Sequence, residues 1–105
     1  MDGRILDQLY ETILARKDVD IKSSWTAKLL AAAPELPAKK LGEESAEAII
    51  EAIKGDREGL TMEAADVLYH LLVLMVATDV KPEDVWAELE RRQAQSGIAE
   101  KASRK

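Results

Sequence analysis

Residues 43–66 read EESAEAIIEAIKGDREGLTMEAAD, and this stretch decides the fold. Apolar residues recur at helical spacing on both sides of a glycine-containing break at 54–59, which is typical of a turn between two helices. Two acidic pairs with i,i+3 spacing flank the break: Glu44 with Glu47, and Glu63 with Asp66. Because an α-helix rises about 1.5 Å per residue, the two pairs lie at similar heights if the chain reverses at the break. The sequence therefore predicts a central antiparallel hairpin that gathers four carboxylates.

Clustered carboxylates repel one another, whereas a hard divalent cation such as Mg²⁺ turns the same cluster into a binding site. The two pairs need separate consideration. Glu44 and Glu47 share a helix face with Lys40, which is also how an ordinary solvated face looks. Asp66 lies in the run 64–77, which is apolar nearly all round and predicts a buried helix. A buried aspartate needs a metal, a salt bridge or a functional role.

Composition narrows the class of protein. The chain has 105 residues, enough for one small domain, and its aromatic fraction of 4% with 47% hydrophobic residues favours an all-α fold. It contains no cysteine, which excludes disulfides, thiolate metal sites and thiol nucleophiles and fits a reducing cytoplasm. A net charge of −5 argues against a nucleic-acid partner.

The apolar run 64–77 looks too short and interrupted for a membrane span, and the N-terminus lacks signal-peptide features. We therefore expect a cytoplasmic protein without a membrane partner.

The apolar periodicity predicts a bundle of about five helices. The first helix is expected to end near residue 17. The other four are expected to cover about 25–33, 38–54, 57 or 60 to 78, and 85–95. One short chain has too few other helices to cover a helix that is apolar all round. We therefore expect a homodimer to complete the bundle, with a contact that includes residues 68–75. The all-α domain is expected over residues 1–95, followed by a C-terminal tail, 96–105, that becomes ordered with substrate.

Several blocks of the chain resemble the phosphoribosyl-ATP pyrophosphatase family, within the all-α nucleoside-triphosphate pyrophosphohydrolases. The pairs of the form ExxE and ExxD match the wider superfamily. The narrower resemblance rests on SWT at 24–26 with KLL at 28–30, KLGEESAE at 40–47, EAADVLYHLLVL at 63–74, and Arg92 followed by SGI at 96–98 and EKASR at 100–104. The resemblance implies hydrolysis of phosphoribosyl-ATP to phosphoribosyl-AMP and pyrophosphate, the second step of histidine biosynthesis.

The resemblance also suggests roles for individual residues. The expected Mg²⁺ ligands are Glu44, Glu47, Glu63 and Asp66, with a metal-activated water as nucleophile. Glu43 is a candidate general base, although a solvated glutamate is the plainer interpretation. The candidates for phosphate binding are Lys39, Lys40, Lys101 and Arg104, each of which could equally be surface charge.

Other interpretations stay open at this point. A general house-cleaning nucleotide pyrophosphohydrolase would share the metal motif. A ferritin-like di-iron protein would need Glu-x-x-His pairs, but Val67 precedes His70 by three positions. A purely structural dimeric bundle is the non-enzymatic alternative. His70 itself fits a core imidazole bonded to a carboxylate or carbonyl, or a support for Asp66, and Trp25 fits a core anchor or a stacking surface for adenine.

Overall fold

The computed structural model describes residues 2–94, 97, 101, 102 and 104, and within them every regular element is an α-helix. The helices are α1 (Arg4–Leu14), α2 (Trp25–Ala31), α3 (Glu35–Lys54), α4 (Arg57–Ala77) and α5 (Pro82–Gln93). The predicted all-α fold with five helices is confirmed. Helix α3 begins three residues earlier than expected, because Pro37 is tolerated in a first turn, where its missing N–H has no intrahelical partner to lose.

The core is built by α1, α2 and the second half of α4. Its buried side chains are Tyr10, Ile13, Leu29, Leu72, Val73, Met75 and Val76. Two hydrogen bonds attach the segment after α4 to α1: the Tyr10 hydroxyl donates to the Val80 carbonyl at 3.0 Å, and the Trp86 indole N–H donates to Asp7 at 2.8 Å. The second half of α4 therefore packs against α1 and α2, and the chain that follows it is attached to α1.

Helices α3 and α4 contact each other more extensively than any other pair of helices. The turn between them consists of Gly55, which ends α3 with a left-handed φ of 77°, and Asp56, whose carboxylate accepts the Gly59 N–H at 2.9 Å. A left-handed φ suits glycine, which has no Cβ, and aspartate is a preferred N-cap. The local chemistry thus fixes where α3 stops and α4 starts.

The single chain buries only part of α4, as expected from its small number of other helices. Its buried residues all lie at or beyond His70, and Leu68 and Leu71 remain 43% and 39% exposed. Asp66 is exposed as well. The reason is that the buried core residues of α1 and α2 meet only the second half of α4, and α3, whose one buried residue is Pro37, does not bury the first half.

Helix α4 is also long and apolar enough, by length and composition, to cross a membrane. The expectation that this run is too short for a span was therefore wrong, since the helix has 21 residues. Such a composition is shared by core helices, and the second half of α4 supplies four of the core side chains, which accounts for its apolar character.

We predict opposite effects for two glycine substitutions. Gly55→Ala should lower the free energy of unfolding by about 1 kcal/mol, because alanine is strained at positive φ. Gly42→Ala, at an exposed position inside α3 where an added Cβ meets no atom within 4 Å, should raise it by up to about 1 kcal/mol. Urea denaturation of both variants measures the difference, and equal effects would show that the turn conformation does not depend on glycine.

Candidate metal centre

Three carboxylates from two helices meet at one point. Glu44 of α3 and Glu63 and Asp66 of α4 each offer an oxygen, and these oxygens all lie within 4.8 Å of one another. The spacing of Glu63 and Asp66 puts both on one side of α4, since residues three apart are neighbours on a helix surface. Glu44 is added by the packing of α3 against α4. The structure thus brings together three of the four residues expected as metal ligands.

The fourth expected ligand, Glu47, interacts with the same cluster. The pKa of Glu63 is raised from its ordinary value of 4.5 to about 7, first by a hydrogen bond with Glu44, then by loss of solvation, and then by a hydrogen bond with Glu47. Two carboxyl groups can form a hydrogen bond only when one of them carries a proton. The geometry at Glu63 therefore favours a bound proton or another positive charge.

A second observation points to a cation rather than to an ordinary acidic surface. Glu63 Oε2 is buried and has no hydrogen-bond partner in the part of the chain that the structure describes. Leaving a carboxylate oxygen shielded from water and unpaired is costly. Oxygens bound to Mg²⁺ at about 2.1 Å lie about 3 to 4.2 Å apart, which small side-chain rotations of this group can reach. The donor set, oxygen only and acidic, fits a hard divalent cation.

The other predicted site residues have different surroundings. Glu43 is exposed, and its carboxylate is 3.8 Å from Lys40 Nζ. Lys39 is exposed and Lys40 is half-buried. Lys101 and Arg104 are exposed, and much of the tail around them lies outside the described residues. Roles for these lysines, for Arg104 and for the tail therefore stay predictions.

His70 lies in the core, as its plainer interpretation expected. It is 5% exposed, and its Nδ1 is 2.8 Å from the Asp66 carbonyl oxygen, one turn earlier on α4. With Nδ1–H donating to this carbonyl, the imidazole supports the backbone at Asp66 rather than its carboxylate. Tyr69 packs edge-on against the His70 ring, with the ring centroids 4.9 Å apart.

Sequence reasoning missed how α2 approaches the carboxylates. The hydroxyls of Thr26 and Tyr69 are 2.6 Å apart, which attaches the first turn of α2 to α4. The Trp25 ring is 47% exposed and lies near the ammonium groups of Lys28 and Lys40. The block SWTAKL at 24–29 contained three of these residues, but no periodicity in the sequence places α2 beside α3.

Comparison with known proteins identifies the family. A family model described as phosphoribosyl-ATP pyrophosphohydrolase matches residues 6–93, which include all four expected metal ligands. The chain belongs to this family. It is 66% identical over 99 residues to a protein of Roseobacter denitrificans named phosphoribosyl-ATP pyrophosphatase, covering 94% of each chain. It is 65% identical over 100 residues to the protein of that name from Dinoroseobacter shibae, covering 95% of this chain and 98% of the relative. The resemblance inferred from the sequence blocks is confirmed.

The raised pKa of Glu63 predicts a pH dependence for the metal-free protein. A folded-state pKa of about 7, against an ordinary 4.5, means that Glu63 contributes stability below about pH 4.5 and that this contribution is lost as the pH rises through 7. In the presence of a chelator, the Tm of the wild type should therefore fall more steeply between pH 5 and 8 than that of Glu63→Gln.

Thermal unfolding followed by circular dichroism measures this difference. Glu58→Gln, at an exposed position in the first turn of α4, is the matched control and should follow the wild type. Adding Mg²⁺ at pH 8 should raise the Tm of the wild type more than that of Glu63→Gln, because a cation replaces the lost proton. Parallel pH profiles for the wild type and Glu63→Gln would contradict the electrostatic account of the cluster.

Proposed function

We propose that this protein hydrolyses phosphoribosyl-ATP to phosphoribosyl-AMP and pyrophosphate in the cytoplasm, as a step of histidine biosynthesis. The observation that carries the proposal is the meeting of Glu44, Glu63 and Asp66 oxygens within 4.8 Å, in a chain that belongs to the phosphoribosyl-ATP pyrophosphohydrolase family. Family membership indicates the substrate, and the carboxylates can hold a metal ion of the kind that assists cleavage of a phosphoanhydride.

The carboxylates would hold Mg²⁺, and Glu47, which interacts with Glu63, would complete the set. The bound ion would neutralise charge on the phosphates and lower the pKa of a water. The water oxygen forms a bond to the α-phosphorus, the bond from that phosphorus to the bridging oxygen breaks, and pyrophosphate leaves. A carboxylate must accept the proton of the water, and Glu43, which is exposed, lies one position away from Glu44 and pairs with Lys40 at 3.8 Å, is the candidate.

The site requires α3 and α4 to run in opposite directions, and we propose that they form an antiparallel hairpin. Two facts support this arrangement. A turn of only two residues, Gly55 and Asp56, separates the helices. Glu44 and Asp66 are equally distant from Gly55 in the sequence, and their carboxylate oxygens are nevertheless close together. An antiparallel pair brings such positions to the same height.

Removal of one ligand charge tests the metal assignment. Asp66→Asn and Glu44→Gln should each lower kcat/KM for phosphoribosyl-ATP at limiting Mg²⁺ by about a hundredfold or more, since even residues that only support metal ligands are worth about ten- to a hundredfold. Pyrophosphate release measures the rate, and Glu58→Gln is the control expected to keep full activity.

Two results would contradict the proposal. Near-normal turnover of Asp66→Asn at limiting Mg²⁺ would remove that residue from the ligand set. Equal kcat/KM values of the wild type for phosphoribosyl-ATP, ATP and other nucleoside triphosphates would instead indicate a general nucleotide pyrophosphohydrolase.

We also propose a homodimer, formed through the exposed apolar side of the α3–α4 pair. We assign to this surface Ile49, Ile50 and Ile53 of α3 and Leu68 and Leu71 of α4, all at least 39% exposed. Five large apolar side chains on one pair of helices exceed the scattered single residues usual on a monomer surface. The sequence placed the dimer contact over residues 68–75, but Leu72, Val73 and Met75 are already used by the chain's own core. Only the exposed positions remain for a partner.

Two leucines of equal exposure test the dimer. Leu71 on α4 and Leu14 at the end of α1 are both 39% exposed. Leu71→Lys should shift the protein from dimer to monomer in sedimentation experiments at micromolar concentration, because a buried ammonium at the interface has no partner. Leu14→Lys should stay dimeric. Unchanged helicity by circular dichroism shows that each variant is folded, and a monomeric wild type at this concentration would refute the proposal.

A further inference from the structure

Two ammonium groups gather at one exposed aromatic ring. Trp25, the first residue of α2, is 47% exposed. Lys28 Nζ lies 5.7 Å from the centroid of its ring, and Lys40 Nζ, which comes from α3, lies 6.0 Å from it. Both distances are within the range of cation–π attraction. The indole therefore lies within reach of lysines from two different helices.

The positive charge of this cluster is only partly balanced. Lys40 has Glu43 at 3.8 Å, a carboxylate that is itself 47% exposed. Lys28 has no ion-pair partner within the residues that the structure describes. The aromatic ring attracts the ammonium groups without neutralising them, and two like charges near one ring repel each other. A bound anion would supply the opposite charge that this cluster lacks.

The cluster lies one helical turn from the candidate metal centre. Lys40 precedes Glu44 by four residues on α3, and Tyr69 follows Asp66 by three residues on α4. The hydroxyl contact of Thr26 with Tyr69 fixes the first turn of α2 at that level of α4. One turn corresponds to about 5.4 Å along a helix. A ligand bound at the carboxylates can therefore extend to the lysines.

We propose that Trp25, Lys28 and Lys40 form a phosphate-binding subsite, which holds a phosphate group of the substrate other than the one at the carboxylates. This inference rests on the proposed function. The substrate carries phosphates that four acidic side chains would repel, and these two lysines, which come from two helices, lie about one helical turn from the acidic cluster. Trp25 acts as a positioning residue, since its ring gathers the ammonium groups and leaves their charge available.

Steady-state kinetics separate this role from a structural one. Lys28→Met keeps the apolar stem and removes the charge, and it should raise KM for phosphoribosyl-ATP about tenfold while kcat changes less than about twofold. Lys54→Met is the matched control: Lys54 is also exposed, but it lies at the other end of α3 beside Glu51, and its KM should stay unchanged. Trp25→Leu should raise KM in the same way, and Trp25→Phe, which keeps an aromatic face, should largely restore it.

The outcomes distinguish this inference from the proposed function. Absence of pyrophosphate release from phosphoribosyl-ATP by the wild type would refute the function itself. An active wild type with equal KM for Lys28→Met and Lys54→Met would refute only the subsite.

Direct binding identifies which phosphate is held. The chain has two tryptophans, so Trp86→Phe leaves Trp25 as the only indole fluorophore. Titration of this variant with pyrophosphate and with phosphoribosyl-AMP, at constant ionic strength, should give a saturable change in Trp25 fluorescence that Lys28→Met weakens. Saturation by pyrophosphate assigns the subsite to the leaving group, and saturation by phosphoribosyl-AMP alone assigns it to the phosphoribosyl end. No saturable change with either ligand would overturn the proposal.

Discussion

The approach of acidic side chains across the α3–α4 contact is the constraint on which the rest of the structure depends. Glu63 lies between Glu44 and Glu47, and their mutual repulsion opposes the packing that brings them together. The stability needed to hold them comes from elsewhere in the chain. Burial of a side chain such as Leu72, Val73 or Leu29 contributes about 1.5 to 3 kcal/mol, and the core contains seven buried apolar side chains.

The residues that stabilise the fold and the carboxylates of the candidate metal centre consequently lie in different halves of α4. Its second half, from His70 onward, is fixed in the core against α1 and α2. Its first half carries Glu63 and Asp66 and has no fully buried residue. Weakly buried segments open at lower free energy than a core does, so the carboxylates are placed where side chains can adjust to a ligand. His70 connects the two halves, because its imidazole is buried while its Nδ1 bonds to the Asp66 carbonyl.

The sequence predicted those features that depend on local chemistry. Glycine and aspartate at 55 and 56 located the turn, and the i,i+3 spacing put Glu63 beside Asp66. Burial was predicted less well, because periodicity reports which faces of a helix are apolar but not how much of each face the same chain can cover. The exposure of Asp66 followed from that limit. The contact of Lys40 with Trp25 depends on the position of α2 relative to α3, which no local pattern encodes.

The carboxylates of the candidate metal centre and the lysines beside Trp25 act on a phosphate ligand in different ways. A protein with a net charge of −5 repels a polyphosphate at long range, but salt screens charges beyond about 8 Å, so the groups nearest the ligand decide. At the carboxylates, a proton on Glu63 and a divalent cation would compete for the same oxygens, and a rise in pH, which removes the proton, would favour the cation. Only the cation leaves positive charge available to a phosphate. Lys28 and Lys40 supply the same sign of charge one turn away without depending on that competition.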